Sequence, residues 1–280
     1  PQLVYASISG FGQTGPYAKR PAYDVIIQAM GGISSITGNP GELPIRVGSS
    51  IADLSAALFS TIGILAAWGH AKGTGLGQQV DVSMLDCQVA LLENAIARYY
   101  LEDSMPGPIG SRHPTITPFQ FFRANDGYFV IAIGNENLWG QLCRTLEAPD
   151  LLKDCRFTDN ASRSANQQDL EKILEEHFGE DSVEYWLDSL GQAGIPCGPI
   201  QNIEQVCSDP QIIDRQMLIE IEHPIAGPQK MPNSPLKFSH SKIELLTPAP
   251  LLGQHTQEIL SQMLGMGDEE IAVLRSERII

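Results

Sequence analysis

The feature that most constrains the fold is an alternation of short β-forming runs with helical ones. Leu3-Val4-Tyr5-Ala6-Ser7-Ile8 and Gln79-Val80-Asp81-Val82 are the β-forming runs. Helical stretches lie at residues 24–30, 51–72 and 84–101, the middle one long and rich in Ala and Leu and stopped by Gly73-Thr74-Gly75. Two strands joined by a helix of that length pair in parallel, because an antiparallel pair needs only a short turn. Residues 1–104 therefore read as an α/β domain, an open doubly wound parallel sheet that is Rossmann-like but partial. A parallel sheet is covered by crossovers on both faces, and this one has few. The chain also opens without Met and almost inside a strand, so further chain is expected upstream.

From Met105-Pro106-Gly107-Pro108 the pattern changes. Residues 119–123 and 128–133, separated by Ala124-Asn125-Asp126-Gly127, read as a hairpin. Amphipathic helices follow at 166–177 and 182–193, then Ile195-Pro196-Cys197-Gly198-Pro199 and a strand-like run at 217–222. Residues 105–245 thus read as a second, smaller α+β domain. Residues 246–280 read as a helical return to the large domain, with Leu260, Met263 and Leu264 on one face.

Charge excludes several partners. A formal net charge of −15 opposes nucleic acid and anionic membranes, and no run reads as long enough for a membrane span. Five widely spread cysteines with no CxxC spacing point to reduced thiols and a cytoplasmic location. The six histidines form no HxH or HExxH pattern, so no metal site is expected.

Four places could carry chemistry. Gly10-Phe11-Gly12-Gln13-Thr14-Gly15 has the GxGxxG spacing of dinucleotide loops, but Pro16 removes a donor and no helix start follows it. It reads as a loop built for tight turns or close approach by a ligand. Ser83-Met84-Leu85-Asp86 opens a helix after a strand. That is a capping box, with Asp86 answering the positive helix end. It is also where open α/β sheets place their ligand crevices. Cys87 is a rival nucleophile, without a base at a recognisable spacing. His113, in Gly110-Ser111-Arg112-His113-Pro114, sits on a polar loop with a glycine neighbour.

Several runs together resemble the family III coenzyme A transferases. They include Ile8 to Tyr17, Pro21-Ala22-Tyr23-Asp24, Gln28-Ala29-Met30-Gly31-Gly32, Thr74-Gly75-Leu76-Gly77-Gln78 and Val80 to Asp86. Later matches are Gly194 to Pro199 and Pro250 to Thr256, so the likeness follows nearly the whole chain in order. It lacks the family's N-terminal part, which supplies the first half of the nucleotide-binding-like fold. The resemblance implies that Asp86 is the catalytic nucleophile and that Tyr23 lines the site. It also puts Gly110 and His113 on a loop over the site, where backbone donors can stabilise an oxyanion. The reaction implied is transfer of CoA between an acyl-CoA and a carboxylic acid by a covalent aspartyl intermediate. CoA thioesters serve as substrates, no cofactor is needed, and the assembly is an interlocked homodimer. Two alternatives stand beside this. Acyl-CoA racemases of the same fold have a histidine where this chain has Tyr23, and a tyrosine with a pKa near 10 is a poor proton shuttle. A non-catalytic fragment or interaction domain is the other.

Overall fold

The computed structural model describes residues 1–102, 105–241, 243 and 247–280. The domain boundaries expected at residues 104 and 245 fall outside the described residues. The chain forms two compact units, Pro1–Ile200 and Gln201–Ile280.

The first unit opens with β1 (Tyr5–Ser9), α1 (Asp24–Met30), α2 (Ile33–Ile36), α3 (Ile51–Thr74), β2 (Gln79–Ser83), α4 (Met84–Ala90) and α5 (Glu93–Leu101). β1 and β2 run parallel, in register from Tyr5 opposite Gln79 to Ser9 opposite Ser83, with α3 in the crossover between them. Asp24 fixes the start of α3. One of its carboxylate oxygens accepts from the Ala52 N–H at 2.9 Å, and the other accepts from the amide of the fully buried Gln28 at 2.7 Å. Gln28 in turn accepts from Val47 N–H at 2.8 Å, so α1 serves as the cap that Ser50 does not supply. α3 ends on Gly75 at φ 78°, whose N–H bonds Ala71 O. A Cβ at Gly77 would collide with the Leu3 carbonyl, so glycine is required where the chain enters β2 beside β1.

Two expectations change here. The helix foreseen at 84–101 is two helices. Leu91 and Leu92 tighten into i→i+3 bonds to Gln88 O and Val89 O, and Leu92 packs onto Gly32. The break falls where the local sequence has no breaker. Second, α3 has 24 residues and a mean hydropathy of 1.6 over its most apolar stretch, so by length and composition a run that could cross a bilayer does exist. In this fold α3 packs on β1, β2, α1 and α4.

The rest of the unit holds β3 (Phe119–Arg123), β4 (Tyr128–Ala132), α6 (Glu136–Thr145), a 3₁₀ turn at Pro149–Leu152, α7 (Asn160–Ala165), α8 (Gln167–Phe178), α9 (Val183–Gln192) and β5 (Cys197–Pro199). The expected hairpin is present as β3–β4, and β5 extends it to a three-stranded antiparallel sheet. Helices α6, α8 and α9 bury Leu142, Leu170, Leu174, Phe178 and Leu190 against Phe122, Phe129 and Ile131 of the sheet. The Phe178 ring lies 5.0–5.2 Å from those of Phe122, Phe129 and Trp186. Arg163 is 1% exposed, forks onto Glu136 with both bonds at 2.9 Å, and lies over the Trp139 ring.

The second unit comprises α10 (Ile203–Ser208), α11 (Pro210–Asp214), the antiparallel hairpin β6 (Leu218–His223) and β7 (Gly227–Pro232), then α12 (Thr256–Glu258), a π turn at Ile259–Met263 and α13 (Asp268–Ser276). The helical tail expected over 253–275 is interrupted at Gly265, which takes φ 67°. Among the described residues the structure is mixed α/β, with one parallel and two antiparallel sheets.

Candidate active site

Asp86 lies in the first turn of α4, directly after β2. Ser83 caps the helix, its Oγ accepting from the Asp86 N–H at 3.2 Å. The reciprocal bond of a capping box is not made, and the Asp86 carboxylate has no hydrogen bond or ion pair among the described residues. It is exposed, facing a hollow of about 230 Å³ lined by Phe59, Asp81, Val82, Ser83, Cys87 and Ala90.

The glycine loop buttresses this turn. Leu85 N–H donates to Gly10 O at 3.1 Å, and a Cβ on Gly10 would collide with Ala22, so the segment before α1, the loop and the start of α4 are mutually packed. Gly12 (φ 84°) donates to Ser9 Oγ at 3.0 Å, and Gln13 N–H donates to the Asp81 carboxylate at 3.0 Å. Those amides are used by the loop itself and by β2, and no helix follows until α1. The loop is therefore a support for the Asp86 turn, which is how its glycine spacing is used here.

Cys87 is buried, and its thiol pKa is pushed up by that burial and then by the negative charge of Asp86 beside it. A protonated buried thiol is a weak nucleophile. Of the two adjacent candidates, only Asp86 presents its reactive group to solvent. Next in sequence, Gln88 is fully buried against Gly31, with both amide atoms lacking a partner among the described residues.

The other expected site residues are distributed as follows. Tyr23 is the N-cap residue of α1 and 80% exposed, and its carbonyl accepts from Ile26 and Ile27 N–H. It neighbours Ala22, and so the Gly10 contact, but its ring does not line the Asp86 hollow. Gly110 and His113 together line a second hollow of about 280 Å³. Gly110 sits at φ 70° and its N–H donates to Gly38 O at 2.8 Å. His113 Nδ1 accepts from Thr115 N–H (3.2 Å) and Ile116 N–H (3.1 Å), leaving the Nε2–H tautomer with its ring 5.1 Å from that of Phe119. His223, also followed by proline, makes the same two bonds to Ile225 and Ala226 N–H. The His-Pro pair is a turn device, and only His113 Nε2 is left for a ligand. The two hollows share no lining residue, Ala90 belonging to the first and its neighbour Leu91 to the second.

Sequence reasoning missed Arg98 and Arg112, both of which line the second hollow. Among the described residues no group of three or more His, Cys, Asp or Glu stands together as a metal site would require.

With this geometry in place, comparison with known proteins is informative. Residues 1–256 match the profile of CoA-transferase family III, and the chain belongs to that family. It is 35% identical over 280 residues to the succinyl-CoA:glutarate CoA-transferase of Homo sapiens, covering all of this chain and 64% of that protein. It is 42% identical over 240 residues to the acetyl-CoA:oxalate CoA-transferase of Acetobacter aceti, covering 85% of this chain and 60% of that one. The crystal structure of a CAIB/BAIF family protein from Brucella suis superposes with a TM-score of 0.79 at 37% identity, over 94% of this chain and 68% of that one. The chain spans less than two thirds of the length of these two curated relatives.

Proposed function

We propose that this protein transfers coenzyme A from an acyl-CoA to a carboxylic acid, with Asp86 as the covalent carrier. The observation that carries the reading is the unpaired, exposed carboxylate of Asp86 in its hollow, next to a cysteine that burial keeps protonated. The names of the relatives, all transferases of CoA between acids, support it.

The chemistry needs only that carboxylate. An Asp86 oxygen attacks the thioester carbon and the C–S bond breaks, giving a mixed anhydride and CoA thiolate. The thiolate attacks the Asp86 carbonyl, the anhydride C–O bond breaks, and the donor acid leaves as its carboxylate. The acceptor carboxylate then attacks the aspartyl thioester and expels thiolate, which finally takes the new acyl group and restores free Asp86. Each step passes one negative charge from oxygen to sulfur or back, with no net proton movement. Each also builds an oxyanion, which oriented N–H donors stabilise. We assign that role to the loop at Gly110 and His113. In the resting arrangement the Gly110 N–H is held by Gly38, so its use requires that bond to be exchanged. Tyr23, the N-cap residue of α1, is assigned to contact the substrate on the family resemblance alone.

Acyl-CoA and a carboxylic acid are the proposed partners, with CoA a substrate and no cofactor or metal in the scheme. We further propose a homodimer, interlocked as the family resemblance implies, and a cytoplasmic location in keeping with five free cysteines. β1 and β2 are read as part of a Rossmann-like doubly wound sheet, with α3 as its covering layer and neither membrane nor nucleic acid as a partner.

The test is Asp86→Asn against Asp86→Ala in the complete protein. Neither variant can form the anhydride, so both should lose transfer by at least about 10⁴-fold. Because Ser83 is the cap, neither should shift the melting midpoint by more than a few degrees. An Asn variant that stays active, once deamidation is excluded by mass, contradicts the assignment.

A further inference from the structure

Ala56, Phe59 and Gly63 follow at i, i+3 and i+7 and so share one face of α3. Two of the three hold that face close to its neighbours. Ala56 is 2% exposed and packs with Val82 and Cys87. A Cβ on Gly63 would stand 2.9 Å from Val80 Cγ1, too close for any other residue without a shift. Phe59 lies between these contacts and is carried to the edge of the Asp86 hollow, where it remains half-open to solvent. The other walls are the shorter side chains of Val82, Ser83, Cys87 and Ala90, so Phe59 is the one aromatic group bounding the space.

Charge limits what can enter. Asp81 and Asp86 both line the hollow, and no Lys, Arg or His stands with them among the described residues. A further negative group in a space of about 230 Å³ would meet like charge. An uncharged one gains contact with Phe59, Val82 and Ala90. For an Asp86 oxygen to attack, a carbonyl carbon must come within about 3–3.5 Å of it, which brings the α-carbon of the acyl chain into the same hollow.

We propose that Phe59 is a specificity-determining residue whose ring bounds the room for that α-carbon, so that straight acyl chains are accepted and chains branched at the α-carbon are refused. This rests on the transfer chemistry proposed for Asp86. Phe59 takes no part in bond making, and a charged group farther along the chain stays outside the hollow.

The experiment compares glutarate with 2,4-dimethylglutarate, in which either carboxyl has a branched α-carbon. Both are acceptors from one donor, succinyl-CoA, on the complete protein. One misfitting methyl group is worth roughly 10–200-fold in kcat/KM, and the unmodified protein should favour glutarate by at least about 10-fold. Phe59→Ala should bring the ratio within about threefold of one by gaining the branched acid. Phe59→Leu, which keeps an apolar wall of less breadth, should fall between. Leu58→Ala, at an exposed neighbour that does not line the hollow, should leave the ratio unchanged. Equal changes on both acids in the two Phe59 variants would mean a structural role only and overturn the proposal. So would an unmodified protein that takes both acids equally, or a shift in Leu58→Ala as large as in Phe59→Ala. If neither acid accepts CoA, the transfer reading fails for these acids and binding decides the role of Phe59. Calorimetry on Asp86→Asn, which cannot turn over, then compares propanoyl-CoA with 2-methylpropanoyl-CoA. Tighter binding of the straight thioester that Phe59→Ala abolishes supports the proposal, and any other pattern refutes it.

Discussion

Residues 119–195 and residues 1–101 contain comparable amounts of helix and strand, yet they are packed in opposite ways. In the first region large side chains point inward, and Phe122, Phe129, Ile131, Leu142, Phe178 and Leu190 are at most 1% exposed. In the second the buried face of α3 is made of Ala52, Ser55, Ala56, Ser60, Ala67 and Ala71. Its large residues, Leu54, Leu58, Ile62, Leu65 and Trp68, all face outward. Small residues let α3 lie close on β2 and α4, which is what brings Ser83, Asp86 and Phe59 around one hollow. The consequence is a division of labour. One region supplies its own core, while the region carrying Asp86 leaves a broad apolar face exposed.

The contrast can be broken by mutation. Phe178→Ala removes a ring that touches three others in a closed core and should cost about 3–5 kcal/mol in urea unfolding. A loss below about 1 kcal/mol would mean that this core is not the closed one described. Glu136→Gln leaves buried Arg163 without its counter-charge. Because Glu136 itself is 55% exposed, water replaces part of the interaction and about 1 kcal/mol is expected near neutral pH. The guanidinium's hydrogen bonds hold the Glu136 carboxyl below its usual range. Its stabilising effect is therefore complete above the unfolded value of about 4.3 and lost as pH falls through the lower folded value. The gap between wild type and Glu136→Gln should accordingly close on acidification below about pH 4, and a gap independent of pH would rule out the charge as its cause. The smallest effect belongs to Leu58→Ala on the outer face of α3, under about 0.5 kcal/mol if that face meets only water. A loss above about 2 kcal/mol would show that it is covered in solution.

Much of this was readable from the chain, for physical reasons that differ between places. The β-run, long apolar helix and second β-run foretold the parallel pair, because a crossover of that length admits little else. Asp-Gly between apolar runs foretold the β3–β4 hairpin. The division between α4 and α5 was not readable, because no glycine or proline marks it. α6 was legible only as a helical run around Trp139, without the bounds that Asn135 sets by capping Leu138 N–H, and β7 was hidden by Pro228 and Pro232, which suit only a sheet edge. Within the site, the position of Asp86 after a strand was legible and its exposure was not. Arg112 lies in a loop without periodicity. That it bonds Ile109 O and the Gln167 side chain is a fact of three dimensions.

The central claim is that Asp86 bears a covalent acyl or CoA group during turnover, and trapping tests it most directly. The complete protein is mixed with succinyl-CoA in the presence of hydroxylamine, digested, and the peptide holding Asp86 and Cys87 is sequenced by mass spectrometry. An activated carboxyl is captured by the amine, so a hydroxamate on Asp86 that appears only with the thioester is the predicted result. Modification confined to Cys87, or CoA transfer that proceeds at full rate with Asp86 unmodified, would contradict the account.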